Sequence, residues 1–181
     1  MSSTELIHHL KSHALRTDGP FTLRSGAVSS WYLDARQTTL DGQGAWLVGR
    51  AVLEVLSSEV DAVGGMTMGA DPIAVATAMT AAMEGRPLRA FSVRKEAKEH
   101  GTTGRLVGPV RPGDTAAVLE DTTTTGAAAA EAVEHLTAEG IEVAQVIALV
   151  DRSHGAAEER FAALRVGFVA LTRPADLGVA G

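Results

Sequence analysis

Apolar and polar residues follow two periods along this chain, and the switches between them mark its elements. Near the N-terminus Ile7, Leu10 and Ala14 recur at helical spacing behind Ser2 and Glu5, which have the Ser-x-x-Glu form of a capping box. This predicts a first amphipathic helix. From Phe21 to Ala35 the character is turn-rich and alternating, which predicts short strands, and Val48, Ala51, Val52, Val55 and Leu56 then suggest a second helix. Beyond it come a strand from Ala62 to Met66 and a helix opened by Asp71-Pro72, with Val75, Ala78, Met79, Ala82 and Met83 on one face. A strand around Leu88 to Val93 follows.

The second half repeats the rhythm. A Pro112-Gly113 turn precedes a short apolar strand from Thr115 to Leu119, and Ala129, Ala132, Val133 and Leu136 mark a helix that stops at Gly140. A strand from Val143 to Val150, a helix from Ala156 to Leu164 and a last strand from Val166 to Leu171 complete the series. Strands alternating with helices predict an α/β fold, with a mostly parallel, Rossmann-like sheet flanked by helices. No repeat, low-complexity tract or linker interrupts the pattern. Residues 1–181 therefore read as a single domain, with about residues 1–40 folded onto the sheet as a hood.

Composition narrows the class. At 181 residues, 45% hydrophobic and 21% charged, the chain suits one soluble domain with a substantial core. A net charge of -6 argues against general nucleic-acid or membrane-surface binding but leaves room for a local basic patch. The absence of cysteine excludes disulfides, cysteine zinc sites and thiol nucleophiles. No signal-like N-terminus and no apolar run of membrane-spanning length are present, so a cytoplasmic location is the expectation.

Candidate chemistry is densest at Val118-Leu119-Glu120-Asp121-Thr122-Thr123-Thr124-Thr125-Gly126-Ala127. Two carboxylates and four hydroxyls stand there between a strand and a helix, where open α/β sheets bind ligands. Backbone N–H groups of Thr124, Thr125, Gly126 and Ala127 at the helix N-terminus are expected to face outward and favour a phosphate. Glu120 and Asp121 would repel that phosphate but accept hydrogen bonds from ribose hydroxyls one sugar length away. The pattern describes a ribose 5-phosphate site, and a solvated turn with a threonine cap is the plainer alternative.

A second cluster, Arg94-Lys95-Glu96-Ala97-Lys98-Glu99-His100-Gly101, follows the Leu88 to Val93 strand. Gly101, Thr102, Thr103 and Gly104 make the next segment flexible, so the cluster is expected to be a mobile loop able to close over an anion. A solvated turn in which Glu96 and Glu99 pair the lysines is the alternative. His9 and His13 share a helical face, but with no third ligand evident a solvated face is expected rather than a metal site.

The Glu-Asp-Thr run resembles the phosphoribosyl diphosphate signature of the type I phosphoribosyltransferases. Arg-Lys-x-x-Lys-x-His-Gly ahead of it is similar to the orotate phosphoribosyltransferases of that superfamily, as are Phe21-Thr22-Leu23-Arg24-Ser25-Gly26 with Trp31-Tyr32, and Asp151-Arg152. The resemblance covers about Phe21 to Arg152. It implies the type I fold with a small N-terminal hood and a flexible catalytic loop, and transfer of a phosphoribosyl group from 5-phosphoribosyl 1-diphosphate to N1 of orotate in pyrimidine biosynthesis.

The same resemblance implies site residues. Lys98, His100 and Arg94 would be catalytic. The phosphoribosyl diphosphate would be bound by these and Lys95, and by Glu120, Asp121, Thr122, Thr123, Thr124, Thr125, Gly126, Ala127 and Ala128. Orotate would meet Thr124, Arg152, Arg24 and Tyr32, with Trp31 or Tyr32 as a stacking surface. Mg2+ is the implied cofactor, held mainly by diphosphate, ribose and water. A homodimer is implied, with Arg94, Lys98 and His100 serving the neighbouring subunit and Lys95 its own; neither nucleic acid nor membrane is a partner.

Gly64-Gly65-Met66-Thr67-Met68-Gly69-Ala70-Asp71-Pro72 would be the diphosphate loop, and it lacks the Lys that some family members carry near Gly69. Arg24 and Leu33 also depart from common family residues, Lys and an aromatic. A phosphoribosyltransferase for another base would share the Glu-Asp-Thr run but not the other motifs together. A nucleic-acid-binding regulator on this fold is disfavoured by the acidic balance.

Overall fold

The computed structural model describes residues 2–22, 26, 28–98 and 104–180. The chain opens with α1 (Ser2–His9), which widens into a π-helical turn over Leu10–Ala14. Four two-residue strands follow, namely β1 (Leu15–Arg16), β2 (Phe21–Thr22), β3 (Val28–Ser29) and β4 (Tyr32–Leu33). They pair antiparallel as β1 with β4 and β2 with β3. Then come α2 (Arg36–Thr39) and α3 (Gly42–Val55), whose N-cap Asp41 accepts from the Gly44 amide at 2.9 Å.

The remainder alternates: β5 (Ala62–Met66), α4 (Asp71–Met83), β6 (Arg89–Lys98), β7 (Gly104–Val107), β8 (Thr115–Thr123), α5 (Ala127–Ala138), β9 (Glu142–Asp151), α6 (Ala156–Leu164), β10 (Gly167–Thr172) and α7 (Pro174–Leu177). Among the described residues the large sheet has the order β10-β9-β8-β5-β6-β7, with parallel neighbours except for β6 and β7. The expected α/β fold is thus observed.

Period-two alternation divides the core in two. On β8, Ala117 and Leu119 join a cluster with α3, α4 and the hood residues Leu6, Leu10 and Ala14, whereas Ala116 and Val118 join the α5 and α6 side with Ala132 and Phe161. Helices cover both faces, so strands such as β5 are buried along their whole length. At Gly65 a Cβ would lie 2.2 Å from the Leu119 carbonyl oxygen and 2.9 Å from the Ala70 Cβ, which is why glycine stands there.

Three expectations need correction. The strand expected to stop at Val93 runs on to Lys98, because β7 pairs with it antiparallel (Val93 opposite Leu106, Lys98 opposite Gly104) and supplies its hydrogen-bond partners. Likewise the motif strand runs to Thr123, so Glu120 and Asp121 stand on β8 beside β9 instead of in a loop. His9 is buried, not solvated: its Nδ1 is 3.2 Å from Thr38 Oγ1, its Nε2 3.1 Å from Asp41 Oδ1, and His13 stacks on it with centroids 4.1 Å apart. These contacts fasten α1 to the α2–α3 junction. No helix among the described residues is long and apolar enough to cross a membrane.

Candidate active site

Between β5 and β8 the strand order reverses: the chain leaves β8 toward β9 and β5 toward β6. A crevice opens there outside the carboxyl ends of the strands, the usual ligand position in such sheets. It is a cleft of about 660 Å³. Tyr32, Asp34 and Arg36 from the hood form one wall, Thr67, Met68 and Gly69 after β5 another, and Lys95, Glu120, Asp121, Thr122 and Ala128 the rest. One cleft therefore gathers Glu120, Asp121, Thr122 and Ala128 of the acid motif with Lys95 and Tyr32, while residues 123–127 do not line it.

The two acids differ. Burial first, and then the neighbouring Asp121 charge, push the Glu120 carboxyl up to about 8. Near neutral pH it holds its proton, so it can donate to a sugar oxygen as well as accept, and it repels a phosphate less than an ionised pair would. Asp121 Oδ1 accepts from the Thr122 amide at 2.8 Å. Gly69 is packed against it, so that a Cβ there would lie 2.7 Å from Oδ1 and 2.8 Å from the carboxyl carbon.

The turn into α5 is built differently from expectation. Thr123 is buried and its Oγ1 accepts from the Gly126 amide at 2.9 Å, while Thr125 Oγ1 accepts from the Ala127 amide at 3.3 Å. Two of the four amides expected to face outward are thus already engaged, because threonine hydroxyls two and three residues away compete for them. Gly126, at φ 71°, opens α5 without a side-chain cap, which leaves first-turn donors and the positive end of the dipole for an anion. Arg160 on α6, which the sequence pattern did not flag, donates through Nε to the Thr125 carbonyl at 2.7 Å and fixes the turn from behind.

Other walls are also hydrogen-bonded into place. Asp71 at the start of α4 accepts from Thr67 Oγ1 and Ser92 Oγ, both at 2.6 Å, locking the loop after β5 against β6. Arg105 on β7 donates to the Arg94 carbonyl at 2.7 Å and pairs with Glu131 on α5, which ties β7 to β6 and to the helix on that face of the sheet. Lys95 consequently projects from a strand. Lys98 ends that strand, and Arg24 and His100 lie outside the described residues.

Arg152 borders a separate, smaller cavity of about 300 Å³ with Asp151, His154 and Arg173. Its guanidinium lies 4.2 Å from the centroid of the Trp31 ring, and burial lowers its pKa. Trp31 is buried and its Nε1 donates to the Ala180 carbonyl at 2.9 Å. One face of Trp31 is therefore a platform for Arg152, whereas Tyr32 borders the main cleft. Asp151 turns to Arg173 at 3.7 Å and to the Ser153 amide at 2.8 Å, so an Asp151–Arg152 bridge is not what holds this segment. Asp34 and Arg36 were not singled out by the sequence; a short hood segment brings them to the cleft, and neither belongs to a periodic pattern.

No group of three His, Cys, Asp or Glu side chains suited to a metal occurs among the described residues. The Asp121 carboxylate, with the Glu120 carboxyl next to it, puts hard oxygen into the cleft, which fits a magnesium ion that takes most ligands from phosphates and water.

No family model matches the chain. An orotate phosphoribosyltransferase from Nostoc is 49% identical over 142 residues, covering 78% of this chain and 69% of the relative. One from Streptomyces coelicolor is 46% identical over 156 residues, covering 86% of this chain and 85% of the relative. The crystal structure of the Mycobacterium tuberculosis enzyme in complex with 5-phospho-alpha-D-ribosyl 1-diphosphate superposes with a TM-score of 0.84 at 34% identity, covering 99% of this chain and 100% of that one.

Proposed function

The chain belongs to the orotate phosphoribosyltransferase family, and from that premise we infer that it transfers the phosphoribosyl group of 5-phosphoribosyl 1-diphosphate to N1 of orotate, in pyrimidine biosynthesis. Orotidine 5-phosphate and diphosphate are the products. The observation that carries this reading is the cleft at the sheet's switch point, which Glu120, Asp121, the cation Lys95 and Ala128 in the first turn of α5 line together.

In the reaction the C1–oxygen bond to diphosphate breaks, its electron pair leaves with the diphosphate, and N1 of orotate bonds to C1. The first turn of α5 and the threonines before it hold the 5-phosphate through amides, hydroxyls and dipole. Glu120 and Asp121 take the ribose hydroxyls and so fix C1 in the cleft. Charge develops on the departing diphosphate, which Lys95 of the same chain meets, with Arg94, Lys98 and His100 of a second copy. Mg2+, when bound, would supply charge neutralisation on the diphosphate, and Asp121 with Glu120 are the residues that would help to hold it. Arg24, Arg152, Thr124 and Tyr32 form the orotate end, where a planar guanidinium suits a carboxylate. Orotate N1 is acidic enough to need no general base.

The working unit is a homodimer. On α4, Val75, Met79 and Met83 are 52%, 62% and 80% exposed at one-turn spacing, while Ile73, Ala74 and Ala81 are buried on its other side. A helix apolar all round calls for cover on both sides. We take residues 1–181 as one catalytic domain with the hood closing its cleft. An ionised phosphorylated sugar does not cross membranes unaided, which supports work in the cytoplasm, where it is made.

The test is the loss of orotate absorbance with phosphoribosyl diphosphate and magnesium, run beside adenine, hypoxanthine and uracil. Orotate alone should be consumed. Turnover of a purine without orotate would overturn the reading.

A further inference from the structure

We propose that Arg36 binds the diphosphate of 5-phosphoribosyl 1-diphosphate, as a cation carried from the N-terminal hood into the cleft beside a loop that has none. The loop after β5 lines the cleft through Thr67, Met68 and Gly69, none of which carries a charge, and Met68 is 60% exposed there. Backbone amides alone would have to meet a polyanion on that side. Arg36 borders the same cleft from α2.

Its side chain is already aimed. Arg36 Nε donates to Asp34 Oδ1 at 2.8 Å, and the same carboxylate accepts from the Arg36 amide and from Gln37 Nε2, both at 3.3 Å. Asp34 is itself fixed, since its amide donates to the Ala14 carbonyl at 3.0 Å. With Nε spent on Asp34, the terminal nitrogens of Arg36 have no partner among the described residues. A guanidinium held in this way presents two donors in one plane, the geometry that suits phosphate oxygens. Asp34 holds the Arg36 charge most strongly, by hydrogen bond and by charge, and Asp121 adds a weaker pull from across the cleft.

An ion pair kept only for stability would contribute little at a half-exposed site. It would also have no reason to face the sugar-binding acids. The sugar's orientation selects the ligand. With the 5-phosphate at α5 and the ribose on Glu120 and Asp121, the group on C1 lies toward Lys95 and Arg36. This inference rests on phosphoribosyl diphosphate being the substrate.

Calorimetric titration of magnesium diphosphate and of orotidine 5-phosphate into wild type, Arg36→Met, Arg36→Lys and Asp34→Asn is the test. Orotidine 5-phosphate fills the sugar and pyrimidine positions but has no diphosphate. Arg36→Met should weaken diphosphate by at least ~10-fold, the loss of one charge-assisted contact, and leave orotidine 5-phosphate within about twofold. Arg36→Lys should restore part of the loss, which also covers misfolding of the Met variant. Asp34→Asn should fall between, because the cation remains but is less well aimed. In turnover, KM for phosphoribosyl diphosphate should rise and KM for orotate should not.

Unchanged diphosphate affinity, equal weakening of both ligands, or a loss confined to orotate would each overturn the proposal. If wild type binds diphosphate but turns over no orotate, the orotate reading fails and the diphosphate site stands.

Discussion

Gly69→Ala isolates one contact in the cleft. The added Cβ would lie 2.7 Å from Asp121 Oδ1, 2.8 Å from its carboxyl carbon and 3.1 Å from Oδ2, whereas ordinary contact begins at 3.4 Å. The carboxylate must therefore retreat by about 0.7 Å. A hydrogen bond from a sugar hydroxyl to a carboxylate is only ~2.5–2.7 Å long, so that retreat breaks it. Losing one hydrogen bond to a charged group costs about 1.5–3 kcal/mol, which is ~10- to 100-fold in rate. An independent guide, that a misplacement of about 1 Å costs ~100-fold, agrees.

Stability should barely change. Only the end of one short side chain is pushed, and Gly→Ala at a position without positive φ removes about 0.4–1 kcal/mol of unfolded-state freedom. The expected result is kcat/KM for phosphoribosyl diphosphate reduced ~10- to 100-fold, orotate KM near wild type, and Tm within about 3 °C. Gly42→Ala is the control, because a Cβ there meets nothing within 4 Å and Gly42 does not line the cleft. Wild-type kcat/KM in a folded Gly69→Ala protein would refute the placement of the sugar on Asp121.

Two further outcomes follow from the site and the surface. Because the folded Glu120 carboxyl sits at about 8 against an ordinary 4.5, the folded chain keeps a proton that the unfolded chain has released. Stability is full below about 4.5 and is lost as pH rises through about 8. Wild type should lose on the order of a few kcal/mol across that window while Glu120→Gln does not, read as Tm against pH; parallel curves would refute the burial argument. A Met79→Lys, Met83→Lys double variant should sediment as a monomer and lose turnover through the missing second-copy loop, and a dimer of unchanged strength would place the interface elsewhere.

Much of the architecture was legible because buried parallel strands and amphipathic helices write their periods into the sequence. The strand at Ala62–Met66 and the helix at Ala156–Leu164 stand where the pattern put them. Strand ends were less legible. Nothing in Arg94 to Lys98 looks like a strand, since the partner that makes it one, β7, lies beyond a polar segment. The small elements β1 and α7 escaped for a related reason: a two-residue strand or a four-residue helix is too short to show a period.

Sequence alone determined the local chemistry: acids, threonines and glycine between a strand and a helix, and a basic cluster after another strand. That information is local because a helix N-terminus and its preceding turn are built from consecutive residues. Only the tertiary structure decided which residues share a cleft and in what state. It brought Asp34 and Arg36 from the hood to face Asp121, gave one face of Trp31 to Arg152, and turned the Gly126 amide inward to Thr123. It also put Glu120 where burial keeps its proton near neutral pH. Each of these depends on distance and desolvation between segments far apart in the chain, quantities that a linear pattern does not contain.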